Sequence, residues 1–119
     1  LLLMIGKQAT IMTAVDALLY PSFVLGAHGA IAALLTAVPT LCVQLWDAVQ
    51  VGDHGKALML HETLLRIWNA LASDNLPANV KFAMELQGRP AGQPRSPMPP
   101  SSTAQQAAIR MALAKAGLI

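Results

Sequence analysis

Charge is scarce in this chain. Eight Lys and Arg and six Asp and Glu among 119 residues make it 12% charged, against about 25% in an ordinary globular domain. The net charge of +2 and a pI near 9.0 are weak basicity. The eight cations are scattered and only 4% of residues are aromatic, which excludes a basic, aromatic-interleaved nucleic-acid surface. A single cysteine, Cys42, excludes an internal disulfide framework. It stands in an apolar stretch with nothing nearby to lower its pKa, so it reads as a small buried hydrophobe, and a lone cysteine suits the cytoplasm. The opening LLLMIG has neither an initiator Met nor the basic n-region and cleavage site of a signal peptide.

What fills the space left by charge is apolar: 55% of residues are hydrophobic. A lone domain of this size needs more polar surface. A membrane protein, an obligate oligomer, or a piece whose other part covers apolar surface would each account for it. The triple Leu at the start suits the inner face of a helix in a longer chain, and the third explanation is the expectation. From Ala17 to Trp46 the chain has no Asp, Glu, Lys or Arg for thirty residues, long enough to cross a bilayer. Pro21, Gly26, Gly29 and Pro39 punctuate that run. Asp16 and Asp47 bound it and no basic anchors flank it, so a membrane hairpin is disfavoured. A segment buried on both faces, as in the wall of a parallel α/β barrel, fits better.

The local signals follow. Residues 1–6 read as the tail of a helix ending at Gly6. Thr10–Thr13 is short, β-branched and apolar, a buried strand. Asp16 stands where its carboxylate could cap the next helix, Ala17–Leu25, which tolerates Pro21 near its start and closes at Gly26. Gly29–Leu34 is a second apolar strand with small residues on alternate positions. Pro39 opens a helix to about Val51, stopped by Gly52. Strand–helix–strand–helix is the pattern of a parallel sheet, and two strands alone cannot stabilise one. Beyond Gly52 the pattern changes to three helices. Asp53 caps one from about His54 to Ala72; one starts at Asn75–Pro77 and ends at Gly88; Ser102 or Thr103 caps the last, to about Ala116. Asp74 also reads as a cap, and the Leu and Met stripe of residues 57–71 as core. Residues 89–102 form a Pro-rich connector. The division is 1–52 and 53–119.

Ile11-Met-Thr-Ala-Val-Asp-Ala-Leu-Leu-Tyr-Pro21 followed by Leu25-Gly-Ala-His-Gly-Ala-Ile-Ala33 resembles the seventh to eighth strands of the dihydrodipicolinate synthase / N-acetylneuraminate lyase family. Those enzymes carry "SG-x-D-x-LL-x-P … LGA-x-G-x-IS". The likeness continues through Val51-Gly-Asp53, Asn79-Val-Lys81 with Gly88, Arg95-Ser-Pro-Met-Pro99 and the closing Ala-Gly-Leu118. It implies an α/β fold: the last two βα units of a TIM (β/α)8 barrel followed by a three-helix C-terminal appendage. It also implies a class I aldolase or lyase chemistry on pyruvate or a related 2-oxo acid. There a sixth-strand lysine forms a Schiff base and a fourth-strand tyrosine relays protons, both outside this chain. The imine serves as electron sink, so no metal and no organic cofactor is implied. Lys7, Lys81 and Tyr20 do not match those catalytic positions.

By the same resemblance the substrate-binding positions are Thr13, Ala14, Asp16, Ile31 and Ala33, at the C-terminal ends of the strands, where such barrels place their sites. Ala14 would offer a backbone carbonyl, in place of the family's usual glycine. Asp16 would bond a substrate hydroxyl or amine, or cap a helix; both readings stand. Ile31 would wall the Schiff base and Ala33 replaces a frequent serine. His28 reads as a turn histidine with a satisfied ring nitrogen. His54 and His61 read as surface residues, too far apart to share a metal. The expected partners are a 2-oxo acid and other chains, as a homo-oligomer or through pairing with the rest of a barrel. The alternative is a non-catalytic truncated paralogue acting in assembly.

Overall fold

A computed structural model describes residues 2–5 and 7–119. Its helices are α1 (Leu2–Ile5), α2 (Leu19–Val24), α3 (Ala33–Ala37), α4 (Pro39–Gln50), α5 (His54–Leu71), α6 (Leu76–Leu86) and α7 (Thr103–Lys115). Its strands are β1 (Met12–Thr13) and β2 (Gly29–Ala30), and a 3₁₀ turn spans Asp16–Leu18. The expected stop at Gly6 lies outside the described residues. No helix among the described residues is long and apolar enough to cross a membrane.

The expectation of two adjacent, same-direction strands is met. β1 pairs with β2 in parallel, Met12 opposite Gly29 and Thr13 opposite Ala30. Backbone bonds extend the pairing: His28 N–H donates to Ile11 O (2.8 Å) and Ile31 N–H to Thr13 O (2.9 Å). Both strands are shorter than expected. Gly29–Leu34 does not stay extended: after Ala32 the chain coils into α3. Ala-Leu-Leu is better helix than strand material, and the helix start finds an acceptor that local reading does not reveal. The expected helix Ala17–Leu25 divides into the 3₁₀ turn and α2, because Leu18 at φ −119°, ψ 20° departs from helical geometry.

The chain forms two compact units, Leu1–Leu64 and Leu65–Ile119, with α5 running through the division. In the first, α2 and α3 pack on α4. Leu19, Phe23, Leu34, Val38 and Leu45 are buried there, and the Phe23 and Trp46 rings meet edge-on at 5.0 Å. α4 opens on Pro39, as expected. At its end Gly52 takes φ +75°, and Asp53 N–H reaches back to Ala48 O (2.9 Å), the αL stop that glycine permits. Asp53 caps α5 as expected, its Oδ1 accepting from Lys56 N–H at 3.0 Å. The Leu and Met stripe is only partly core: Ala57, Leu64, Ile67 and Leu71 are buried, but Leu58 and Met59 are exposed. They fall on the helix face opposite the buried positions.

In the second unit α6 packs on α7 around Ala83, Ile109 and Leu113. Asp74 is not a cap: Asn75 occupies the position before α6 and spends its side chain elsewhere. Ser102 forms a full capping box with Gln105. The Pro-rich connector is held down by side chains. Lys81 Nζ donates to the carbonyls of Ala91 (2.8 Å) and Gln93 (3.3 Å), and Asn75 Nδ2 to Pro100 O (3.2 Å). Fully buried Asn79 donates to Leu71 O and Ser73 Oγ (both 2.9 Å) and accepts from Ser101 Oγ at 2.6 Å.

Candidate functional site

Parallel strands with crossover helices place ligands at the strands' C-terminal ends, because the loops there are free of the packing that holds the sheet. Here those ends carry Thr13, Ala14 and Asp16 after β1, and Ile31 and Ala33 after β2. Thr13 and Ile31 are joined directly through the Ile31 N–H to Thr13 O bond. Thr13 is half-buried and its Oγ1 accepts from Ser22 Oγ at 3.1 Å. Ala14 is exposed, Ile31 is 72% exposed and Ala33 is half-buried.

Asp16 is buried, and its Oδ1 accepts from the Leu34 N–H at 2.6 Å. It does not cap the turn that follows it, where Val15 stands at the cap position without a side-chain bond. It caps α3, eighteen residues on. Cys42 is buried and feels the charge of the same carboxylate. Burial first, and then the Asp16 charge, push its thiol up to about 12, opposite to the shift a nucleophilic cysteine needs.

At the other end of the strands His28 Nδ1 accepts from Ile11 N–H at 2.9 Å, the satisfied turn histidine expected. His54 and His61 lie toward the surface, as expected, but are not isolated. Tyr20 Oη meets His54 Nδ1 at 3.1 Å, and the Tyr20 ring is 5.6 Å from that of His61. Residues far apart in sequence gave no signal of this cluster. Among the described residues no group of three or more His, Cys, Asp or Glu could hold a metal ion. Lys7 is exposed at the surface, and Lys81 is occupied with the connector.

The model of the dihydrodipicolinate synthetase family matches residues 1–116. The chain belongs to that family. It is 35% identical over 114 residues to the 4-hydroxy-tetrahydrodipicolinate synthase of Bradyrhizobium diazoefficiens, covering 96% of this chain and 38% of that protein. Among solved structures, KD(P)GA from T. tenax superposes with a TM-score of 0.82 at 32% identity, over 93% of this chain and 39% of its own. The N-acetylneuraminate lyase of Fusobacterium nucleatum superposes at 0.80 and 25% identity, over 92% of this chain and 38% of its own. The chain therefore spans about two fifths of the length of these family members, and it matches their C-terminal part.

Proposed function

We propose that this chain supplies the seventh and eighth βα units and the C-terminal helices of a (β/α)8 aldolase or lyase acting on pyruvate or a related 2-oxo acid. Residues 1–52 are the barrel part and 53–119 the appendage. The family match over residues 1–116, borne by a β1–β2 pair that is parallel and adjacent, carries this reading. The Schiff-base lysine and the proton-relaying tyrosine come from the part of the barrel that this chain does not span. The Ala14 carbonyl faces the distal end of the bound substrate, Thr13 stands at the same strand end, and Ile31 and Ala33 lie beside the Schiff base. Ile31, exposed here, becomes an apolar wall that keeps a lysine amine desolvated and reactive.

Both flanks of the sheet support a larger barrel. Beside β1 an open groove of about 480 Å³ is lined by Ile11, Met12, Ser22 and Leu25. Beside β2 a groove of about 230 Å³ is lined by Ala30, Leu35, Pro39 and Val43. Neighbouring staves would cover both, in the cytoplasm, within one protein or between chains. The test is complementation. The chain is mixed with a polypeptide covering the remainder of the Bradyrhizobium synthase, then treated with pyruvate and borohydride. A lysine of the added polypeptide gains the mass of a reduced pyruvate imine only when both chains are present. Absence of that label in every complemented assembly overturns the reading.

A further inference from the structure

We propose that Asp16 is a positioning residue: it holds the turn between β2 and α3 in place by capping α3 from the 3₁₀ turn that follows β1, and does not touch substrate. The functional half of this rests on the proposed 2-oxo-acid site; the structural half stands without it.

The reasoning begins at α3. The first amides of any helix lack intrahelical partners and call for an acceptor. The residue at the cap position of α3 is Ala32, extended at φ −149°, ψ 163°, with no side-chain acceptor to give. Leu34, second in that helix, is buried and out of reach of bulk water. Its N–H is met instead by Asp16 Oδ1 at 2.6 Å, a short bond to a carboxylate acceptor. The turn before it is held at its other end, where Ile31 N–H donates to Thr13 O at 2.9 Å. Ile31, Ala32 and Ala33 are thus fixed between a backbone bond and a carboxylate, both belonging to the β1 side. That fixes how Ile31 is presented. Asp16 is only 8% exposed, and with one oxygen committed it offers little surface to a ligand. A buried carboxylate deprived of that bond would be costly, so the tie is strong.

Amide hydrogen exchange on the 119-residue chain tests the structural half. In Asp16→Ala, the Leu34 amide exchanges about tenfold faster or more, while Leu45 and Ala48 in α4 change less than about threefold. Asp16→Asn keeps an oxygen acceptor in place and returns Leu34 to within about threefold of the parent. An unchanged Leu34 in Asp16→Ala, or an equal rise at all three amides, overturns the proposal. Kinetics of the complemented enzyme test the rest. Asp16→Ala lowers kcat about tenfold and Asp16→Asn recovers most of it, with KM for the second substrate held within about threefold in both. A rise of about tenfold or more in KM for Asp16→Asn, with Leu34 still protected, shows direct substrate contact and overturns the positioning role. If no complemented enzyme forms an imine, the functional reading fails, and the exchange result alone decides the capping role.

Discussion

At the scale of single residues, polar groups do their work across long sequence separations. Asn79 is the clearest case. An asparagine inside an amphipathic helix gives no sign of its partners, yet it bonds Leu71, Ser73 and Ser101 at once and is fully buried. Replacing it with Leu leaves the Leu71 carbonyl and the Ser101 hydroxyl without that partner. The expected cost is about 3 kcal/mol, read from the urea midpoint of the chain. Cys42 was legible as a buried hydrophobe because its neighbours in sequence are apolar; the Asp16 charge acting on it was not. Its folded pKa of about 12 stands above the ordinary 9.0. The folded chain therefore binds more protons than the unfolded one between those values. Stability from this group is complete below about pH 9 and is lost as pH rises toward 12. Iodoacetamide at pH 8 should label native Cys42 far more slowly than the urea-unfolded chain; equal rates would contradict the burial.

At the scale of elements, what reads from sequence is what rests on local chemistry. Pro39 at the start of α4, Asp53 before α5 and Ser102 before α7 all stand where the chain's own neighbours dictate. The helix stops are equally local. Gly88 takes φ +74°, and Arg89 N–H bonds back to Met84 O at 2.9 Å to close α6. Nothing lies within 4 Å of a Cβ added there, so Gly88→Ala isolates the backbone term. It should cost about 1 kcal/mol, and Ser102→Ala about 1 kcal/mol through loss of the capping box. Thermal unfolding of each variant measures both, and a neutral Gly88→Ala would contradict the αL stop. α3 was illegible for the opposite reason. Its cap comes from the 3₁₀ turn after β1, eighteen residues back, so the apolar run by itself did not show where the strand ends and the helix starts. Asp74 was misread because Asp at a helix approach signals a cap, while here the chain starts α6 one residue later.

At the scale of the whole molecule, the low charge is matched by apolar side chains left at the surface. Around the sheet, Met12, Val15, Leu18, Leu25, Ile31 and Val43 are all exposed, several of them bordering the two grooves beside the strands. The two strand ends were legible because the order of the motifs locates them. The geometry of the candidate site was not, because it depends on contacts between segments eighteen residues apart. The two levels separate cleanly at Ile31. In the chain by itself this side chain is 72% exposed, so it contributes little to folding. Ile31→Asp should therefore leave the urea midpoint of the chain unchanged within about 0.5 kcal/mol. In the complemented barrel the same carboxylate would sit beside the lysine amine, hold it protonated and spoil the dry wall around it. Imine trapping with pyruvate should fall by about tenfold or more, although the two polypeptides still associate. If trapping in Ile31→Asp matches the parent, Ile31 does not face the reacting carbon and the proposed wall must lie elsewhere.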